Sequence, residues 1–100
     1  MYQCLSIVHV DPAKRDVLIQ AASALADLTR QEEGNLSYDV LAPEGREDLV
    51  ILAERWDSEE HFQAHVAHAD EEGDRVFEFG KLAASISTAP PDLYPCKVLY

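Results

Sequence analysis

Basic residues are few in this chain: eight Lys and Arg stand against nineteen Asp and Glu, for a net charge of −11. Such a surface repels phosphate backbones, and no Lys/Arg cluster opposes the repulsion, so nucleic acid and anionic membranes are excluded as partners. Cysteine is scarcer still. Cys4 and Cys96 lack CxxC spacing and cannot form a disulfide framework; both read as small, buried or half-buried thiols. Long apolar runs are missing too, the longest being of the kind "LVILA" (49–53). A membrane span needs roughly 20 such residues. The start, "MYQCLSIVHVD", carries no positive region and no long apolar core, so a cytoplasmic protein is expected. GxGxxG, GxSxG, the P-loop and HExxH are all absent.

What is present is a globular composition, 47% hydrophobic with only four glycines and five prolines. One hundred residues suit one domain, read over 1–100, with no repeat, linker or low-complexity tract. Burying a ligand pocket as well is demanding at this size, which makes a homodimer a reasonable expectation.

"YQCLSIVHV" (2–10) is aliphatic and β-branched and reads as a strand. Asp11 and Pro12 then make a strong helix start, an N-cap followed by Pro at the first helical position. Apolar Val17, Ala21, Ala24, Leu25 and Leu28 keep helical spacing, and Gly34 supplies a stop. "NLSYDVL" (35–41) alternates with period two, Leu36, Tyr38 and Val40 on one face. The turn "APEGRED" (42–48) joins it to a third strand, "LVILAERW" (49–56), as a hairpin. Asp57 and Ser58 cap a helix running to about Ala69, with capping-box spacing between Asp57 and Glu60. "DEEGD" (70–74) breaks it, and helical spacing resumes over 75–87. "APPD" (89–92) ends that helix, and "LYPCKVLY" (93–100) is a last strand whose Pro95 belongs at an edge or bulge. The order predicts an α+β, ferredoxin-like split βαβ fold with an antiparallel four-stranded sheet.

On that frame a family resemblance appears. Glu33-Gly34 followed by "NLSYDVL" is similar to the "E-x-G-x-x-x-Y" segment of the antibiotic biosynthesis monooxygenase (ABM) family. "LVILAERWDSEEHFQAHVA" resembles the family's stretch in which a strand ends in Glu-x-Trp and an Ala-His pair follows, here Glu54, Trp56, Ala64 and His65. Pro90 and Pro91 after the last helix extend the resemblance over nearly the whole chain. It implies a dimeric α+β barrel whose pocket, between sheet and helices, takes a flat aromatic molecule. It further implies oxidation of quinols or anthrones by molecular oxygen with no cofactor, neither flavin nor metal. The haem-degrading branch of the family is excluded. Its first-strand Asn is missing here, His65 stands at its Trp position, and Arg75 replaces its axial His.

Within that frame His65 is the candidate catalytic base, a neutral imidazole able to take a proton from a phenol or hydroquinol. Its alternative role is to hydrogen-bond the sheet and fix the helix. Trp56, Tyr38, Glu54 and Phe62 are the candidate substrate-binding residues. Trp56 either stacks on an aromatic ligand or closes the core, and the Tyr38 hydroxyl orients a ligand or merely packs. Glu54 lies on an apolar strand face and needs a partner or a raised pKa; a salt bridge near Arg55 or across a dimer interface is expected. His61, His65 and His68 share a helical stripe, yet no carboxylate is placed opposite them, so no metal site is assigned. Two other classes stay open: a non-catalytic small-ligand-binding or stress-response dimer, and an isomerase of a small polar metabolite.

Overall fold

A computed structural model describes residues 1–100. Strand β1 (Tyr2–His9) leads through a 3₁₀ turn (Pro12–Lys14) into helix α1 (Arg15–Thr29). The hairpin β2 (Asn35–Leu41) and β3 (Leu49–Trp56) follows, then α2 (Glu59–Ala67), a 3₁₀ turn (His68–Asp70), α3 (Arg75–Ile86) and β4 (Asp92–Lys97). The sheet order is β2-β3-β1-β4 with every pair antiparallel. This is the expected α+β, ferredoxin-like sheet. Pro95, which has no N–H to give to a ladder, sits on the edge strand β4.

Local signals account for most boundaries. Asp11 caps the first turn, its Oδ1 accepting the Ala13 N–H at 3.0 Å with Pro12 behind it. Asp74 caps α3 by accepting the Val76 N–H at 2.8 Å. The cap of α2 differs from the capping box expected of Asp57 and Glu60: Ser58 Oγ accepts the His61 N–H at 3.3 Å. Asp57 is held instead by the His61 ring, Nδ1 to Oδ1, at 2.6 Å. Helix α2 also ends at Ala67, two residues early, and tightens into the 3₁₀ turn.

The core lies between α1 and one sheet face. Leu18, Val10 and Val50 are its largest fully buried side chains, each worth roughly 1.5–3 kcal/mol of burial, and Trp56 is buried in a second cluster with Tyr2, Cys4 and Phe62. The α1 stripe differs from the predicted one. Leu18, Ala22, Leu25, Ala26 and Thr29 are buried, whereas Val17 and Leu28 are exposed. The helix meets two surfaces at once, the sheet and α3, so its apolar arc is wider than one stripe. Leu36, predicted inward, is also exposed, because a register shift between Asn35 and Ser37 turns it out. No helix is long and apolar enough to cross a membrane.

Candidate active site

Strand register builds the site in rows. On the helix-covered face, Tyr38 of β2, Glu54 of β3, Cys4 of β1 and Pro95 of β4 lie side by side. The next row along the same face is Val40, Leu52, Ser6 and Leu93. Two rows on one face are about 7 Å apart, because side chains alternate at roughly 3.3 Å per residue. The second row carries the floor of the largest cavity, about 600 Å³, formed by Ser6, Leu52 and Leu93. Its roof is α3, where Phe79 is flanked by Gly80, Ala83 and Ala84. Small residues at one helical spacing leave the space between α3 and the sheet unfilled. Ser6, Ser87 and Thr88 are the polar side chains at its wall.

The first row holds the buried polar cluster. Glu54 is 6% exposed, and the Trp56 indole N–H donates to its Oε1 at 3.0 Å. His65, also buried, places Nε2 4.0 Å from the same oxygen and Nδ1 2.8 Å from Glu32 Oε2. A carboxylate oxygen only accepts, so the imidazole gives its Nδ1–H to Glu32 and turns Nε2 toward Glu54. Burial pushes the Glu54 carboxyl above its ordinary value, opposed by the nearby His65 and by the Trp56 hydrogen bond. Burial likewise raises the Tyr38 hydroxyl, with the Glu54 charge adding to it. It pushes the Cys4 thiol up to about 11.

The candidate residues thus converge, in part. His65, Glu54, Trp56 and Tyr38 form one cluster, the Trp56 and His65 rings 5.1 Å apart. Phe62 stacks at a tilt on Tyr2, centroids 5.1 Å apart, in a second cluster that shares Trp56. None of the five borders the large cavity; Glu54 and Cys4 are one row from its floor. The salt bridge expected for Glu54 near Arg55 is replaced by the Trp56 and His65 contacts, since Arg55 points to the opposite sheet face. Sequence reasoning missed Glu32, whose loop position after α1 has no periodicity to flag it.

The other histidines stand apart. His61 pairs with Asp57, which raises the imidazole pKa and lowers that of the carboxyl. His9 lies 2.8 Å from Asp92. His68, Glu71 and Asp74 place their ligand atoms within 4.8 Å of one another and are the groups best placed to hold a cation. They also satisfy one another, His68 Nδ1 lying 3.3 Å from Glu71 and 3.2 Å from Asp74. Cys4 is buried and Cys96 exposed, and register sets them on opposite faces of the sheet.

Fold and site together define a ferredoxin-like α+β protein with an apolar cavity beside a buried carboxylate–imidazole pair. Residues 1–71 match the antibiotic biosynthesis monooxygenase family, and the chain belongs to it. It is 33% identical over 73 residues to the protein named "Putative monooxygenase YcnE" of Bacillus subtilis (strain 168), covering 64% of this chain and 77% of that one. A "Putative antibiotic biosynthesis monooxygenase from Nitrosomonas europaea" superposes over 100% of both chains at a TM-score of 0.87 and 19% identity. Rv0793 of Mycobacterium tuberculosis superposes over 99% of this chain and 95% of its own, at a TM-score of 0.85 and 19% identity.

Proposed function

We propose that this protein is a cofactor-independent monooxygenase that oxidises a small quinol- or anthrone-like aromatic with molecular oxygen. The observation that carries the reading is the cavity of about 600 Å³ whose floor adjoins the Glu54–Cys4 row, with His65 directly behind Glu54. A flat, apolar ring suits a space bounded by Leu52, Phe79 and alanines. An electron-rich phenolate or carbanion reacts with oxygen once its proton is gone, so the protein has two tasks. It must exclude water and accept a proton. His65 and Glu54 form the accepting pair, and Trp56, Tyr38 and Phe62 hold them in place.

A second reading has an observation in its favour. His65, Trp56, Tyr38 and Phe62 do not border the cavity, whose polar wall groups include the hydroxyls of Ser6, Ser87 and Thr88. A ligand-binding protein without turnover needs nothing more. Oxygen uptake by the metal-stripped protein with hydroquinones and anthrones separates the two. Uptake above the spontaneous rate that falls in His65→Ala supports the monooxygenase; no uptake supports the binding protein.

We also propose a homodimer. The sheet face away from the helices carries half-buried Leu5, Ile7 and Ile51 and exposed Leu41 and Tyr94. Only 17 of 100 residues are buried in the single chain, few for a stable core of this size. A second copy of the same face would cover this one. Ile51→Lys should convert the dimer to monomer in sedimentation, and an unmodified protein that sediments as a monomer would refute the pairing.

A further inference from the structure

Glu32 borders one cavity and holds a ring that reaches toward the row beside another. Its carboxylate meets His65 Nδ1 at 2.8 Å, while the same side chain borders a small cavity of about 120 Å³ between α1, the 3₁₀ turn after α2, and the start of α3. Thr29 borders it as well, 1% exposed and with its Oγ1 unpartnered. On the other side of His65, Nε2 faces Glu54, one row from the large cavity. A carboxylate, an imidazole and a second carboxylate therefore stand in line. The inner end is dry, and the outer end is partly open, with the Glu32 side chain 29% exposed.

We propose that Glu32 is the outer end of a reversible proton store, Glu54–His65–Glu32, serving the oxygenation proposed above and resting on that reading. A bridging water, across the one row that separates the cavity from Glu54, carries the substrate O–H or C–H proton to the Glu54 carboxylate and leaves an anion. The Glu54 carboxyl passes a proton to His65 Nε2, and the Nδ1–H proton moves onto Glu32. The anion adds to molecular oxygen as a peroxide anion, two electrons passing from carbon to dioxygen. The stored proton then returns along the same path to the peroxide. Loss of the hydrogen that remains on the oxygen-bearing carbon, as a proton, lets the O–O bond break to a carbonyl and hydroxide, and that proton converts the hydroxide to water. One proton leaves and the same number comes back, so the ring regains its starting tautomer. The 4.0 Å gap between Nε2 and Glu54 must shorten by about 1 Å for transfer, a tightening ordinary in a substrate complex.

Cys4 from β1, Tyr38 from β2 and the Trp56 indole from β3 face the inner end of the store, while His68, Asp74 and Arg75 share the small cavity with Glu32. Burial keeps the first two protonated at neutral pH, so neither competes as acceptor. Glu32 does not touch substrate and acts through His65.

The test compares Glu32→Gln, Glu32→Ala and the unmodified protein with one hydroquinone, measuring kcat and KM separately. The Gln amide oxygen still accepts the Nδ1–H bond but takes no proton. We expect kcat to fall at least about tenfold with KM little changed. Formate, small enough for the cavity, should restore the rate in Glu32→Ala. An unreduced kcat in Glu32→Gln, or no formate rescue of Glu32→Ala, overturns the store alone. No uptake by the unmodified protein overturns both the store and the reading beneath it.

Discussion

His65 bridges two carboxylates that the chain places far apart, Nδ1 lying 2.8 Å from Glu32 and Nε2 4.0 Å from Glu54. Helix α2 thereby ties the loop after α1 to the centre of the sheet. An imidazole between two acids is held in one orientation, whatever chemistry it serves.

The pH dependence of stability should report on Glu54. Its folded pKa is raised above the ordinary value of 4.5, chiefly by burial. A raised pKa means that the folded state holds the proton more tightly than the unfolded chain. The resulting stability is complete below about 4.5 and is lost as pH rises through the folded value. Glu54→Gln removes this loss and keeps an oxygen for the Trp56 N–H. Denaturant titrations should show the variant gaining on the unmodified protein as pH climbs from 4 to 8. A constant difference across that range would contradict the assignment.

Gly34 is required by both its backbone and its surroundings. Its φ is +83°, and a Cβ there would collide with the His61 ring and the Asp57 carboxylate. Gly34→Ala should cost at least about 2 kcal/mol, from left-handed strain and displacement of the His61–Asp57 pair. Adding His61→Ala should recover the steric share and leave the backbone share. Urea unfolding of the four proteins in a double-mutant cycle measures the split, and strict additivity would exclude the collision.

Elements and topology were legible because each rests on a local signal. Asp11-Pro12, the alternation of "NLSYDVL" and the edge-seeking Pro95 act within a few residues. What failed depended on long-range packing. The inward stripe of α1 was misplaced because α3 covers part of the same helix, and Leu36 was misplaced by a bulge that alternation does not encode. Of the candidate residues, His65, Glu54, Trp56 and Tyr38, singled out by their motifs, come together in one buried cluster. Glu32 was missed, because an acid in a loop resembles any solvated charge until the fold brings a histidine to it. The cavity itself was also invisible. Its trace in the sequence is the group Gly80, Ala83 and Ala84 on α3, which reads equally well as close helix packing.

The two thiols should differ sharply in reactivity. Cys4 is buried with its pKa pushed up to about 11, so roughly one molecule in a thousand carries thiolate at pH 8. Cys96 is exposed on the edge strand. Iodoacetamide at pH 8 should modify Cys96 at least about a hundredfold faster, read by peptide mass spectrometry. Equal rates would show that the β1–β4 edge opens readily.

Gly80 offers a way to separate the cavity from the fold. It lies inside α3, where glycine costs about 1 kcal/mol relative to alanine. An added Cβ there meets nothing within 4 Å, since the space beside it is the cavity. Gly80→Ala should therefore raise stability by about 0.5–1 kcal/mol in urea unfolding, with little loss of ligand. Gly80→Phe keeps the helix but projects a ring into the space over Leu52 and Ser6. It should bind a naphthoquinol probe at least about tenfold more weakly, by calorimetry, while unfolding no earlier than the unmodified protein. Undiminished binding by Gly80→Phe would place the ligand elsewhere. The buried His65 cluster would then owe its arrangement to fixing α2 on the sheet.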